Sequence, residues 1–171
     1  LLFINKTNPE TTAIMKYRSQ TRAMVKKPGF VPLRTIPADI ISSVIFIEDF
    51  EFYLHHGIDS ESICFAMEIN KKMGYLAYGG STLTQQLART LFLNPGKNYL
   101  RKYLEILIAL EMELILSKER ILELYFNYAE WGNNIYGIND ASLFYYRRPL
   151  HELKMSEKCA LITILASPVK Y

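Results

Sequence analysis

The sequence contains little cysteine, a single tryptophan and no long apolar run. Cys64 and Cys159 are its only cysteines among 171 residues, too few for a disulfide framework or a metal site built on thiolates. We expect both to be buried free thiols. No stretch approaches the roughly 18 to 20 consecutive apolar residues of a membrane-spanning helix. The sequence by itself therefore predicts neither a disulfide scaffold nor an integral membrane bundle.

Charge of one sign is missing from two adjacent segments. Residues 36–70 contain seven acidic residues and no Lys or Arg, whereas residues 71–102 contain six Lys or Arg and no acidic residue. Residues 1–35 are again basic, with seven Lys or Arg against Glu10 alone. A basic segment beside an acidic one indicates a polyanionic ligand held near carboxylates, and chance patterning on a solvated surface is the alternative. The net charge of +3 is small, and we expect no nucleic-acid partner.

Hydrophobic residues make up half of the chain, and 171 residues suffice to bury a full core. We expect one domain over residues 1–171, or one domain with a small lobe. Apolar residues recur at helical rather than strand spacing, so the fold is predicted to be mainly α. The predicted helices cover residues 11–24, 37–48, 60–72, 99–116, 118–128, 140–146 and 155–165, with a further helix that begins at Ser81 or Thr82 and ends before Asn94.

The segment 79–89 is the most informative part of the chain. Two glycines allow a tight turn, and Thr82 and Gln85 have the spacing of a capping box at the start of a helix. Ser81, Gln85 and Arg89 follow at intervals of four and are predicted to share one helix face. A polar stripe that leads from free backbone N–H groups to a guanidinium suits an anion, most naturally a phosphate. A capped amphipathic helix with a surface arginine is the alternative, and the segment alone does not decide.

Glu48 ends the apolar helix that follows Pro37. It lies four residues after Val44, on the apolar face, where partial loss of solvent suits a carboxylate that acts as a general base near neutral pH. A salt-bridged helix end is the alternative. His55 and His56 follow without metal ligands at useful spacing, and we expect them to make structural hydrogen bonds.

Charged residues also interrupt the apolar helix 99–116. Arg101 and Glu105 are four residues apart, and Lys102 flanks them. Burying a charge on an apolar helix requires a partner. The two residues are predicted either to pair with each other or to face a site that also contains Arg89 and Glu48. Because the helix is broadly apolar, we expect it to be central in the fold.

Five segments in order carry a resemblance to a known family. They are Glu48-Asp49-x-x-Phe52-x-x-His55-x-Gly57-x-Asp59, Gly79-Gly80-Ser81-Thr82-x-Thr84-Gln85-Gln86-Leu87, Arg101-Lys102-x-x-Glu105, Ile121-Leu122-Glu123-x-Tyr125-x-Asn127, and Gly137-x-x-x-Ala141 leading to Tyr145. Together they resemble the peptidoglycan glycosyltransferases of glycosyltransferase family 51. The opening Asn8-Pro9-x-Thr11-Thr12 and the loop Tyr128-Ala129-Glu130-Trp131-Gly132 are most similar to the monofunctional biosynthetic enzymes, which have no transpeptidase domain.

The resemblance implies a lysozyme-like helical head and a small, membrane-associated jaw. The implied substrate is lipid II, a disaccharide-pentapeptide on undecaprenyl diphosphate. The 4-hydroxyl of the acceptor sugar would join C1 of the growing glycan chain, with inversion and release of the lipid diphosphate. The implied location is the bacterial cytoplasmic membrane, with the catalytic domain on its outer, periplasmic side and an N-terminal anchor preceding this sequence. Other cell-wall synthesis proteins are possible partners.

Roles for single residues follow from the resemblance together with their chemistry. The two catalytic carboxylates would be Glu48, as the base, and Glu105, which would position the diphosphate or a divalent cation such as Mg²⁺ or Mn²⁺, directly or through Arg101. No organic cofactor is expected. Glu123, Asn127 and Gly137 would be architectural. The remaining candidates would bind substrate: Asp49, Ser81, Thr82, Gln85, Gln86, Arg89, Arg101 and Lys102.

Two positions depart from the family pattern. Lys-Asn usually follows the second segment, where this chain has Arg89-Thr90; arginine keeps the charge but replaces a point charge by a planar fork. The fifth segment usually ends in Tyr-Phe-Gly-Lys, where this chain has Tyr145-Tyr146-Arg147-Arg148. We expect the first change to preserve diphosphate binding and the second to add basic charge that could face anionic lipid.

Two other functions compete with the transferase. A lysozyme-like hydrolase also pairs carboxylates on an α-helical fold, but it needs no cationic cradle for a diphosphate. A non-catalytic scaffold that binds lipid II would not need to retain both Glu48 and Glu105. Product analysis separates the three, because a transferase makes glycan polymer, a hydrolase cuts existing glycan and a scaffold does neither.

Overall fold

The computed structural model describes residues 1–21, 27–75, 78–96 and 98–165. Within these ranges the regular structure is helical, apart from one isolated antiparallel bridge between Glu130 and Tyr136. The mainly α prediction is confirmed. The helices are α1 Leu2–Lys6, α2 Ala13–Thr21, α3 Ala38–Glu48, α4 Ser60–Met73, α5 Leu83–Phe92, α6 Tyr99–Ile115, α7 Lys118–Tyr128, α8 Ile138–Tyr146 and α9 Met155–Leu165, with 3₁₀ turns at Leu33–Thr35 and Leu150–Glu152.

Local capping sets most helix starts. Asp59 caps α4 by accepting the Ser62 N–H, and Ser117 caps α7 by accepting the Arg120 N–H. Thr82 caps α5 and forms the predicted capping box with Gln85. Helix α7 occupies the predicted residues. The predicted helix over residues 11–24 begins instead at Ala13, and its residues 22–24 lie outside the described ranges.

The core is built around α5, which packs against α2, α6 and α7. Leu83, Leu87 and Ala88 are almost fully buried on it. The prediction that the helix 99–116 is central is wrong. Helix α6 buries one face, including Glu105 and Met112, and leaves its other side in solvent. The exposed side includes Leu100, Tyr103, Leu107, Leu110 and Leu114.

The two cysteines differ from the prediction as well. Both Cys64 and Cys159 are free but exposed. Each lies on the outward face of its helix, α4 or α9, so the tendency of a free cysteine to be buried is overridden by the register of the helix. Across the described residues, no helix combines the length and apolar character needed to span a membrane.

Two residues of α7 hold the extended segment before α3 against the core. Asn127 accepts the Val31 N–H through Oδ1 at 2.7 Å and donates through Nδ2 to the Val31 carbonyl at 2.8 Å. Glu123 accepts the Leu33 N–H at 3.0 Å. Gly137 lies at φ +83°, where an added Cβ would come within 2.8 Å of the Asn127 carbonyl oxygen. The architectural roles predicted for Glu123, Asn127 and Gly137 are confirmed.

Arg147 occupies the position where the family pattern usually has glycine. It ends α8 with φ +55° and ψ +25°, the left-handed conformation that glycine adopts without strain. We expect Arg147→Gly to raise the free energy of unfolding by up to about 1 kcal/mol, because relief of strain exceeds the added entropy of the unfolded chain. The measurement is a urea unfolding curve. Arg147→Ala is the control, since it removes the side chain but keeps the strain; an equal gain from both variants would contradict this explanation.

Candidate active site

A cleft of about 170 Å³ joins the first two motif segments. Glu48, at the end of α3, lies on one wall, and Gly79 to Thr82 lie on the other. Its rim is apolar: Phe46, Ile47, Phe50 and Phe65 line it and are each more than half exposed. The cleft therefore offers one half-buried carboxylate beside a polar wall, with aromatic and aliphatic side chains at the entrance.

Glu48 is held by a hydrogen bond that the sequence reasoning did not assign. Gln86 Nε2 donates to Glu48 Oε2 at 2.9 Å, and Tyr125 Oη donates to Gln86 Oε1 at 3.1 Å. Glu48 is half-buried, in agreement with the predicted partial loss of solvent. Gln86 was expected to bind substrate; its amide is already used on both sides by protein groups.

Asp49 ties the first motif segment to the second. Its carboxylate accepts the Leu83 backbone N–H at 2.8 Å and a bond from His55 Nε2 at 2.9 Å. The Gly57 N–H donates to His55 Nδ1, so the proton of the neutral imidazole is assigned to Nε2. The structural hydrogen-bonding role predicted for His55 is confirmed, and Asp49 lines the cleft with its carboxylate already bonded to protein groups.

The start of α5 is closed by protein groups. Thr82 Oγ1 donates to the Gly57 carbonyl and accepts the Gln85 N–H, and Asp49 accepts the Leu83 N–H. The prediction that this helix start offers free N–H groups to a phosphate is wrong for Leu83 and Gln85, because a carboxylate and a hydroxyl already occupy them. Ser81 precedes the helix, so it does not share a helix face with Gln85 and Arg89 as predicted.

A charged cluster lies beside Ser81. Arg101 donates to Glu105 Oε2 at 2.5 Å, and Lys102 donates to Glu105 Oε1 at 2.6 Å and to Ser81 Oγ at 2.8 Å. Glu105 is fully buried and engaged through both oxygens. The pairing of Arg101 with Glu105 is confirmed, and Lys102 connects that pair to the cleft wall at Ser81. The cluster holds two cations against one carboxylate and is net positive.

Two buried donors in this cluster have no hydrogen-bond partner among the residues that the structure describes. They are Gln85 Nε2 and Arg101 Nε. A buried donor without an acceptor costs roughly 1–3 kcal/mol, so such groups in a native protein require an explanation. Both lie beside the cations of the cluster and are shielded from solvent.

Arg89 lies outside this cluster. It lines a second cavity of about 200 Å³ on the α7 side of α5, together with Gln86, Tyr125 and Glu130. Its guanidinium donates no hydrogen bond to any residue in the described ranges. The structure thus brings Ser81, Lys102, Arg101 and Glu105 together, whereas Arg89 shares its cavity with Gln86, the residue that donates to Glu48.

The described residues do not form a site that fits a resident metal ion. No group of three or more His, Cys, Asp or Glu side chains in these ranges is arranged to hold one. Glu105, the carboxylate expected to serve a divalent cation, already accepts from Arg101 and Lys102 through both oxygens. The donor set is therefore cationic where a metal site would be anionic.

Three supporting residues were missed by sequence reasoning. Lys118 donates to the His55 carbonyl and to Glu113, with its ammonium 4.4 Å from the centre of the Phe52 ring. Glu113 also accepts from Thr84 Oγ1 at 2.6 Å. Tyr125 was part of the fourth motif segment, but its spacing alone does not show that it reaches Gln86.

Comparisons with known proteins agree with these motifs. A family model described as Transglycosylase matches residues 15–171. The chain is 39% identical over 166 residues to the biosynthetic peptidoglycan transglycosylase of Burkholderia vietnamiensis, an alignment that covers 94% of this chain and 68% of that protein. It is 39% identical over 170 residues to the protein of that name in Azoarcus sp. strain BH72, covering 96% and 73%. The protein of the same name in Aromatoleum aromaticum is 38% identical over 177 residues, covering 100% and 76%.

Proposed function

The chain belongs to the transglycosylase family, and on this premise we propose how its residues perform the reaction. It is a peptidoglycan glycosyltransferase of cell-wall synthesis, acts on the lipid-linked glycan chain, and therefore works in the cell envelope. The observation that carries the proposal is that one cleft is lined by Glu48 and by Ser81, the residue that Lys102 contacts. A base and a cationic cluster then face the two ends of a reacting glycosyl group.

Glu48 is proposed as the general base. It takes the proton of the acceptor 4-hydroxyl as that oxygen forms a bond to C1 of the growing chain. The bond from C1 to the diphosphate oxygen breaks, its electron pair leaves with the diphosphate, and the anomeric centre inverts. A half-buried carboxylate fixed by Gln86 suits this task, because its position is set before the substrate arrives.

The charged cluster is proposed to bind the leaving diphosphate. Negative charge grows there in the transition state, and preorganised cations stabilise it most when they need not move. Lys102 and Arg101 supply the charge, and Gln85 Nε2 and Arg101 Nε supply buried donors that lack acceptors among the described residues. Glu105 then acts by holding the two cations in place. Ser81 lies nearest the cleft, and Arg89 would bind a second phosphate oxygen from its own cavity.

The apolar rim is proposed to rest on the membrane that carries the substrate. Phe46, Ile47, Phe50 and Phe65 surround the cleft mouth and are exposed to solvent. Burying them in a bilayer surface would bring Glu48 to the headgroup level, where a lipid diphosphate lies. We propose that the domain lies on the outer face of the bacterial cytoplasmic membrane, as a single catalytic unit with a membrane-associated jaw. Other cell-wall synthesis proteins are further proposed partners.

A divalent cation is proposed only as part of the substrate. Because the described residues do not fit a resident metal, Mg²⁺ or Mn²⁺ would arrive on the diphosphate rather than on Glu105. No step of the reaction above depends on it. Polymerisation measured in EDTA and after addition of Mg²⁺ tests this requirement.

Polymerisation of labelled lipid II in detergent tests the proposed function. We expect the wild-type chain to form glycan polymer and release undecaprenyl diphosphate. Cut sacculi without polymer would establish a hydrolase, in which water replaces the sugar acceptor. Binding of lipid II by a folded chain with no product would establish a scaffold.

Replacing Arg89 tests whether charge or fork geometry matters at that position. The Arg89 guanidinium donates to no described residue, so replacing it with lysine breaks no hydrogen bond to those residues. We expect Arg89→Lys to keep kcat/KM for lipid II within about fivefold, and Arg89→Met to lower it by roughly 10- to 100-fold, the worth of one charge-assisted hydrogen bond. Initial polymerisation rates at several lipid II concentrations give these constants. Equal activity of the wild type, Arg89→Lys and Arg89→Met would show that Arg89 does not bind the diphosphate.

A further inference from the structure

We propose that Tyr125 is a positioning residue for the reaction, because its hydroxyl holds in place the Gln86 amide that donates to Glu48. The inference rests on the proposed function of Glu48 as the base. Tyr125 comes from α7, Gln86 from α5 and Glu48 from α3, so three helices meet in a single line of hydrogen bonds. Neither of the two contacts is local in sequence.

The direction of this line is set by the chemistry of its ends. An ionised carboxylate only accepts, so the amide must present Nε2 to Glu48 and Oε1 to the other side. The group on the other side must then donate, and the Tyr125 hydroxyl at 3.1 Å does so. An amide turned by 180° would place Oε1 against the carboxylate, where two acceptors repel. The carboxylate therefore selects the orientation of the amide, and the Tyr125 hydroxyl holds the amide in place by donating to Gln86 Oε1.

Burial keeps Tyr125 in its donating form. Its side chain is 3% exposed, and burial together with the nearby Glu48 raises the pKa of its hydroxyl far above the usual value. The charged groups that act on this hydroxyl are Glu48 and Asp49 from the first motif segment and Arg89 from α5. At any physiological pH the phenol is protonated and available to Gln86.

The test compares Tyr125→Phe with the wild type in the lipid II assay. Phenylalanine fills nearly the same volume and removes only the hydroxyl, so the Gln86 amide loses the hydrogen bond at Oε1 and is less firmly held against Glu48. We expect kcat to fall about five- to tenfold, with KM for lipid II within about twofold, because the base is misplaced while the substrate contacts remain. In the double variant with Gln86→Ala, kcat should equal that of Gln86→Ala alone, since Tyr125 acts through Gln86.

Tyr128→Phe is the matched control. Tyr128 lies three residues further along α7 and donates its hydroxyl to the Pro9 carbonyl at 2.6 Å, a contact between structural segments. We expect this variant to lower the melting temperature and to leave kcat within twofold. A Tyr125→Phe protein with wild-type kcat, losses that multiply in the double variant, or an increase in KM alone would each overturn the proposal. Glu48→Gln is assayed beside them: if it stays active, it is the assignment of the base that has failed.

Discussion

Glu48→Gln is expected to abolish detectable polymerisation, with kcat lower by about 10²–10⁴-fold, the usual contribution of a general base. The amide cannot accept the proton of the acceptor hydroxyl, yet it has nearly the same shape as the carboxylate. Its carbonyl oxygen can still accept from Gln86 Nε2, so the cleft wall should keep its structure. We expect a melting temperature within a few degrees of the wild type and unchanged retention of lipid II.

Steady-state polymerisation and thermal unfolding, both on purified protein, check this result. Glu111→Gln is the matched control, because Glu111 is an exposed carboxylate on the outer side of α6, away from the cleft. If both Glu48→Gln and the wild type form polymer, the chain is still a transferase but Glu48 is not its base. Glu105 is then the next carboxylate to test. Loss of activity in the Glu111 variant would instead indicate a general effect of reduced charge.

Glu105→Gln is expected to lower both stability and activity. The substitution leaves Arg101 and Lys102 beside each other without a compensating charge, in a place where the carboxylate was fully buried. Removing one partner of a buried ion pair costs about 3–5 kcal/mol. Because the Lys102 side chain is 35% exposed and can turn toward water, we expect a loss of about 2–4 kcal/mol.

Urea unfolding measures the loss of stability, and the lipid II assay measures the loss of activity under conditions in which the variant is folded. Glu68→Gln is the control, since Glu68 and Lys72 form a pair with the same i, i+4 spacing as Arg101 and Glu105 but are exposed. We expect that variant to change stability by less than about 0.5 kcal/mol. A similar small change for Glu105→Gln would mean that the cluster does not depend on its carboxylate.

Predictions from the sequence were accurate where the cause was local. The cap at Thr82 and the pair Arg101–Glu105 each depend on residues three or four positions apart. Helical geometry brings such residues together whatever the rest of the chain does. The motif segments likewise indicated the family, because order and spacing are properties of the sequence.

Predictions were less accurate where they concerned which face of a helix is buried and which is exposed to solvent. The sequence of α6 is apolar on more than one side, and only the packing of α5 decided which side is buried. The same limit applies to Cys64 and Cys159, whose exposure depends on the register of α4 and α9. Apolar content shows that a residue can be buried, but not that a partner is available to cover it.

The sequence by itself determined most of the helices, the cap at Thr82, the family and the residues that carry charge near the reaction. Only the tertiary structure decided how those residues share their hydrogen bonds. In the structure the Leu83 N–H at the N-terminus of α5 donates to Asp49, and Lys102 donates to Ser81. Tyr125, Gln86 and Glu48, from three helices, form one line of hydrogen bonds. These contacts join residues far apart in the chain. Several side chains of the same chemical type could serve as the partner of each donor or acceptor. Packing selects among them, because it alone sets which groups come within hydrogen-bonding distance of each other.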